Sequence, residues 1–457
     1  MSDDLTSATP GADDTPAPVF LRTPSEGTPT PLTTAAELAA AVAGIAAADG
    51  PVALDAERAS GYRYSQRAYL VQLRRAGFGT VLIDPIALPD LSSLDDAIGD
   101  AEWILHAANQ DLPCLAELGM RPRRLFDTEL VGRLLGSERV ALGTMLERYL
   151  GVALEKGHSA ADWSTRPLPE SWLDYAALDV ELLIELRAVL IGELERAGKL
   201  EWAAQECEAV RVAPPPPPRE EPWRRISGIH AVRNRRQLGI ARSLWEARDR
   251  RASERDVASG RVLPDAAIVA AVKASPRSSD ELAALPVFAG PRQRQLTGYW
   301  FRAIEAGRAL PDADLPYSSP PATDPDAMPA PARWRERDPD AAARLVAVKK
   351  VVADAAERHE VVSQNLLAGD VQRRLAWRPP TSPLTRDSVA DRMVELGARA
   401  WQVELLASEL TEALAVRAAV AEPAPDKQPN EQPDEQPDGQ PDGQPDEQPE
   451  TPGAPPG

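Results

Sequence analysis

Apolar and polar positions change period several times along this 457-residue chain, and the changes mark out its elements. Thr33 to Ala48 repeats apolar residues at helical spacing. Pro51 to Leu54 is a short apolar run and reads as a buried strand, followed by strands over Ala68 to Arg74 and Thr80 to Ile83. The short connections between these three predict an antiparallel meander. A further apolar strand, Trp103 to Ala107, leads into a helix over Asp111 to Leu118. Residues Glu170 to Arg196 read as one long helix. Alternation of strands and helices predicts a mixed sheet with flanking helices, an α/β domain.

After residue 212 the strand pattern stops. Pro214 to Pro218 is a run of five prolines, which excludes helix or central strand and predicts a stiff polyproline II spacer. Helical periodicity resumes over Ile229 to Asn234, Gln237 to Ser253, Asp265 to Lys273, Ser278 to Ala284 and Gly290 to Arg308. A second segment rich in Pro, Asp and Ser follows, and then amphipathic stretches at Ala341 to Arg358 and Val389 to Val416. The two ends lack anything to pack. The first 31 residues are rich in Pro, Thr, Asp and Ala, and the last 36 repeat Q-P-D-[EG], so both predict disordered tails.

Composition changes the picture in four ways. There is no apolar run of 18 residues, so no membrane-spanning helix is expected. The N-terminal residues show neither the basic nor the apolar region of a secretion signal. Cys114 and Cys207 have no metal or disulfide spacing, which points to a reducing cytoplasm. The net charge of −19 is adverse for a protein that meets nucleic acid, but the two tails hold −13 of it. Arg219 to Arg261, by contrast, carries twelve Arg against six acids, a local basic segment of the kind that contacts phosphate.

The chemistry concentrates in three short strings. VALDAER holds Asp55 and Glu57, and two-residue spacing at the end of a strand puts both carboxylates on one side. HAANQDLPCL holds Asp111 at the start of a helix. DYAALDVELL holds Tyr175 and Asp179 at i, i+4, on one helix face about 6 Å apart along the axis. Oxygen-only ligands of this type suit hard divalent ions that also meet substrate phosphates.

In this order and spacing, the three strings resemble the Exo I, II and III motifs of the DEDD exonucleases. Tyr175, four residues before the last Asp, marks the DEDDy branch. SQRAYLVQL, WSTRPLP and YAALDV resemble ribonuclease D specifically. The resemblance implies an RNase H-like core and a metal-dependent 3′→5′ exoribonuclease acting on single-stranded RNA 3′ ends, tRNA precursors among them. It implies two Mg²⁺ or Mn²⁺ ions, with Asp55 bridging both, Glu57 and Asp179 completing the first site and Asp111 holding the second. Tyr175 would orient the attacking water. LGIARSLWEARDRRASERD resembles the HRDC module, a small helical nucleic-acid-binding domain, with Ala258 where family members often have Pro.

These readings divide the chain into a tail (1–31), the exonuclease domain (32–212), a Pro-rich linker (213–222), the HRDC domain (223–310), a linker (311–332), a helical domain read as a degenerate HRDC-like unit (333–421) and an acidic tail (422–457). The basic HRDC segment, tethered by prolines, is expected to hold RNA. An alternative gives it only a docking role against the exonuclease domain.

Around the motifs, Arg58 is a candidate phosphate or ribose contact, and Lys156, His158 and Arg166 are candidate RNA-backbone contacts. Tyr62, Tyr64 and Tyr69 are candidates for base stacking, with core packing favoured for Tyr69. His106 reads as a core histidine and Asp174 as solvated, while Asp84 and Asp127 fall outside the motifs. Two competing functions remain: a 3′→5′ DNA exonuclease, because the same chemistry tolerates either sugar, and a nucleic-acid-binding protein without catalysis. The intact five-residue set argues against the second.

Overall fold

A computed structural model describes residues 18–155, 157–158, 160–318, 328–380 and 383–418. The meander forms as the pattern predicts. Strands β2 (Val52–Arg58), β3 (Ala68–Arg75) and β4 (Gly79–Ile83) pair antiparallel, with Asp55 opposite Gln72 and Glu57 opposite Leu70. Strands β5 (Glu102–Leu105) and β6 (Arg124–Asp127) extend the other side in parallel, giving the order β4-β3-β2-β5-β6. β2 is therefore central. Val52, Ala53 and Leu54 are fully buried, as a strand covered on both faces requires. A short strand β1 (Val19–Leu21) lies apart and pairs in parallel with β7 (Val152–Leu154). It falls within the stretch assigned to the disordered tail. Its composition gave no strand pattern, and its pairing partner lies more than 130 residues away.

The flanking helices are α1 (Ala35–Ala47), α2 (Ser92–Ile98), α3 (Leu112–Glu117), α4 (Thr128–Leu134), α5 (Leu142–Leu150), α6 (Glu170–Glu181), α7 (Leu183–Ala197) and α8 (Leu200–Val212). The helix expected over Glu170 to Arg196 is thus two, broken at Leu182 (φ −116°, ψ 12°). The two halves bury different faces. α6 lies across β2, β3 and β4 through Ala176, Ala177 and Val180, whereas α7 turns Leu186, Leu190 and Leu194 toward α4 and α5. No Gly or Pro marks that break, so periodicity alone ran through it.

The next group comprises α9 (Arg235–Arg255), α10 (Ser259–Val262), α11 (Asp265–Ala274), α12 (Ser279–Ala283) and α13 (Pro291–Ala309), with its own core around Leu244, Ile268, Trp300 and Ile304. Ile229 to Asn234 is not a helix beyond a single 3₁₀ turn at Ile229–Ala231; Asn234 instead caps α9 by accepting from the amides of Arg236 and Gln237. α9 and α13 cross where Gly239 meets Gly307. A Cβ on Gly307 would stand 2.5 Å from Ile240 Cα, so the close approach needs glycine.

This group is docked, not merely tethered. Asp256, the left-handed cap of α9, accepts from the amides of Tyr64 and Ser65 at 3.1 and 2.9 Å and from the Tyr69 hydroxyl at 3.3 Å. Tyr64 donates to Asp249, and the Arg261 guanidinium lies 3.9 Å from the Tyr62 ring centroid. Tyr62 and Tyr64 are therefore occupied by this interface, which removes them as free base-stacking platforms, while Tyr69 is buried as the packing reading expected. Several arginines of the basic segment are also internal. Arg248 is buried against Asp265, Arg236 pairs with Asp312, and Arg235 donates to the carbonyls of Leu315 and Pro316. Arg219, Arg225, Arg233, Arg250 and Arg255 remain exposed.

The last helices are α14 (Trp334–Arg337), α15 (Pro339–Arg358), α16 (Ser363–Leu366), α17 (Gly369–Trp377), α18 (Arg386–Glu395) and α19 (Ala400–Leu414). The amphipathic stretch Val389 to Val416 is split at Gly397, whose φ of +90° suits glycine. These helices share one hydrophobic core with α4, α5, α7 and α8. Trp202 stacks on Trp401 with ring centroids 4.7 Å apart, and Arg399 pairs with the buried Glu206. Among the described residues, no helix is long and apolar enough to cross a membrane.

Candidate active site

Three elements converge on the C-terminal end of β2. Asp55 and Glu57 project from the strand on one face, and α6, packed across it, brings Tyr175 and Asp179 over them. Carboxylate oxygens of Asp55, Glu57 and Asp179 all lie within 4.8 Å of one another. Asp111 completes the group through a hydrogen bond with Asp55. All five residues line one cavity of about 250 Å³, together with Arg58, His106 and Gln110.

Asp111 is delivered by a strained turn. Ala107, at the end of β5, has φ +59°, and a 3₁₀ turn over Ala108–Gln110 follows. Asp127 fastens this turn: its carboxylate accepts from the amides of Ala107 and Ala108 at 3.0 and 2.8 Å while also capping α4. Asp127 thus has a structural task one step from the site. His106 is satisfied as expected, with Nδ1 2.9 Å from the Thr128 hydroxyl, but it is half-buried and also lines the cleft; burial pushes its pKa down to about 4, so the ring is neutral.

The electrostatics are those of crowded, desolvated anions. Burial pushes the Asp55 carboxyl up to about 6. Burial and the neighbouring Asp55 push Asp111 up to about 8. Glu57 and Asp179 are driven well above the usual carboxylate range by the same causes. Burial and the charges of Asp179, Glu57 and Asp55 also raise the Tyr175 phenol, which therefore stays protonated and hydrogen-bonds Asp179. Arg58 offsets part of this charge from 3.8 Å away from Asp111, and its guanidinium also donates to Gln110. Four carboxylates, Asp111 buried and Asp55, Glu57 and Asp179 half-buried, facing one arginine fit divalent cations: the donors are all oxygen, and the missing positive charge is what a hard ion supplies.

The proposed RNA-backbone contacts separate. Arg166 is committed internally, with a bidentate pair to Asp84 at 2.7 and 2.8 Å and further bonds to the carbonyls of Tyr69, Trp163 and Thr165. A guanidinium so used has nothing left for phosphate, and Asp84 gains a structural role. His158 sits beside the site, its ring 5.8 Å from Trp172 and 6.0 Å from Tyr175. Lys156 lies outside the described residues. Asp174 is not simply solvated, because it accepts from Thr28. Sequence reasoning missed Leu142, which lies outside every motif, and Gln110, which stands next to Asp111 in the second string; both line the cleft.

Comparison with known proteins finds matches along most of the chain. Residues 29–195 match the family model described as 3′-5′ exonuclease, residues 237–304 the HRDC domain, and residues 327–414 the model described as 3′ to 5′ exonuclease C-terminal domain. Ribonuclease D of Escherichia coli strain K12 is 30% identical over 371 residues, covering 79% of this chain and 91% of that protein. Ribonuclease D of Gluconacetobacter diazotrophicus is 31% identical over 345 residues, covering 73% and 83%. A solved protein from Bifidobacterium adolescentis superposes with a TM-score of 0.80 at 38% identity, covering 87% of this chain and 99% of that one. The structure of Escherichia coli RNase D, described as an exoribonuclease involved in structured RNA processing, gives 0.61 at 28% identity, covering 84% and 98%. With its central D-x-E strand, its helical Tyr–Asp pair and these relatives across most of its length, the chain belongs to the ribonuclease D family of 3′-5′ exoribonucleases.

Proposed function

We propose that Asp55, Glu57, Asp111, Tyr175 and Asp179 are the catalytic group, and that the chain removes 5′ mononucleotides from single-stranded RNA 3′ ends, tRNA precursors among them, in the cytoplasm. The observation that carries the reading is the meeting of five residues from three distant segments in one cavity. Asp55, Glu57 and Asp179 would hold one Mg²⁺ or Mn²⁺, and Asp55 with Asp111 a second. Such ions supply positive charge that lowers the pKa of the attacking water and neutralises charge on the phosphoryl group.

The protein groups have separate tasks. Tyr175 keeps its proton, so it acts by positioning: its phenol, held by Asp179, directs a water's lone pair toward phosphorus and is not a base. Arg58 stands at the rim, about a quarter exposed, where its guanidinium meets the scissile phosphate and offsets charge in the transition state. Leu142 and Leu183 give the cleft an apolar lining beside the carboxylates. Hydrolysis breaks the bond between phosphorus and the 3′ oxygen, leaving a 3′ hydroxyl on the shortened strand and a 5′ phosphate on the released nucleotide. The chain divides into 32–212, 223–310 and 333–421, the last of which packs on the first through a shared hydrophobic core.

Asp55→Asn and Asp179→Asn test the assignment. Each is expected to reduce turnover of RNA by orders of magnitude while RNA binding persists, because basic residues elsewhere hold the phosphate backbone. Near wild-type turnover in either variant would reject the assignment.

A further inference from the structure

Residues 18–28 precede the segment that matches the exonuclease family, yet two of them, Phe20 and Arg22, line cavities that adjoin the carboxylate cleft. β1 is held on β7 by hydrogen bonds from the Val19 amide to the Gly151 carbonyl and from the Glu155 amide to the Leu21 carbonyl. Further along, Ser25 donates its amide and hydroxyl to Glu181 at 3.1 and 2.5 Å, and Thr28 donates to Asp174. Glu181 is buried and lies two residues beyond Asp179. The arm is therefore anchored on the same helix that carries Tyr175 and Asp179.

What the arm presents there is an aromatic ring. Phe20 is 53% exposed, although a side chain that size ordinarily gains by burial. A lone exposed apolar residue means little by itself. Phe20, however, lines a groove of about 780 Å³ that also takes in Tyr175 and Asp179, so it is continuous with the carboxylate cleft. Volumes of roughly 300–1,000 Å³ are typical of sites that enclose small molecules. Arg22, just past the end of β1, places its guanidinium 5.2 Å from the Phe20 centroid. Arg22 also lines a smaller adjoining cavity with His158 and Tyr175. The polar groups of the larger groove include Thr144, Glu147 and Glu155. The two carboxylates repel phosphate but accept hydrogen bonds from ribose hydroxyls, so this groove suits a nucleoside, with its phosphate turned toward Arg22.

We propose that Phe20, backed by Arg22, is a stacking platform for a base of the RNA strand that enters the carboxylate cleft. Base–aromatic stacking is sequence-tolerant, because every base has a π face, and this matches an enzyme that must accept each new 3′ end. The inference rests on the exoribonuclease reading and adds to it a binding subsite outside the family-matched segment.

The test uses the full-length chain and 5′-labelled single-stranded RNA. Hydrolysis is followed in Mg²⁺, and binding of the same RNA is followed by fluorescence anisotropy in EDTA. Phe20→Ala is expected to raise KM and the EDTA dissociation constant by about tenfold, with kcat within about twofold of wild type. Phe20→Trp should restore both. Val19→Ala, on the opposite face of the same strand, should behave as wild type. An unchanged KM in Phe20→Ala, equal impairment in Val19→Ala, or a fall in kcat alone would each overturn the proposal. A wild-type chain that binds but does not shorten RNA would defeat the exoribonuclease reading, while the anisotropy comparison would still decide the role of Phe20.

Discussion

Replacing Asp55 with Asn should make the metal-free protein more stable while it abolishes catalysis. Burial lifts the Asp55 carboxyl from its ordinary 3.8 to about 6. Holding it ionised in the folded chain at pH 8 therefore costs about 3 kcal/mol, at 1.36 kcal/mol per pKa unit. The cost is absent below the unfolded value of 3.8, builds as pH rises through about 6 and is complete above it. Asn keeps the shape and removes the charge, and it also relieves Asp111, which Asp55 helps push up to about 8. For a chain of this length, a gain of that size raises the melting temperature by roughly 3–6 °C. The assay is thermal unfolding in EDTA at pH 8 and again near pH 4.5. The variant should melt higher at pH 8, and the difference should shrink at the lower pH. Mg²⁺ or Mn²⁺ should then raise the wild-type midpoint more than that of the variant, since only a site that binds the folded state tightly adds stability. A variant that melts at or below wild type in EDTA at pH 8, or an equal metal response, would refute the reasoning.

Other outcomes follow from the same geometry. Tyr175→Phe should lower kcat less than Asp55→Asn, because it loses the positioning hydroxyl but none of the carboxylates; single-turnover hydrolysis checks the order. Metal binding should release protons between pH 6 and 8, where Asp55 and Asp111 are partly protonated, and calorimetry in buffers of different ionisation enthalpy reads the number. Trp401→Ala should destabilise the chain by about 3–5 kcal/mol, the range for deleting a buried tryptophan, as measured by urea unfolding. Ending the chain after Val212 should yield an unstable, dye-binding exonuclease domain instead of a competent one, since it strips the helices that cover α4, α7 and α8.

The parts legible in the sequence were those with local signatures. The two-residue spacing of Asp55 and Glu57 and the four-residue spacing of Tyr175 and Asp179 fix the shared face within each pair, while the meeting of the three strings was implied by the family resemblance. The meander was legible because three apolar runs follow one another closely. What escaped depends on distant partners. Nothing near Arg166 announces Asp84, 82 residues earlier, which turns a candidate RNA contact into an internal ion pair. Tyr62 and Tyr64 looked like free aromatics until α9 was seen to end against them. The break at Leu182 arises because two halves of one apolar pattern face different neighbours, which periodicity does not encode. Gly397 did carry a visible signal, and the continuous amphipathic reading passed over it.

The central claim is that this carboxylate cluster shortens RNA from its 3′ end through bound divalent ions. A 5′-labelled single-stranded RNA, offered once with a 3′ hydroxyl and once with a 3′ phosphate, decides it when incubated with the full chain in Mg²⁺, in Mn²⁺ and in EDTA. A ladder of progressively shorter 5′-labelled products from the 3′-hydroxyl substrate, with resistance of the blocked strand and silence in EDTA, is the predicted result. Full activity in EDTA, or immediate release of the 5′-terminal nucleotide, would contradict it.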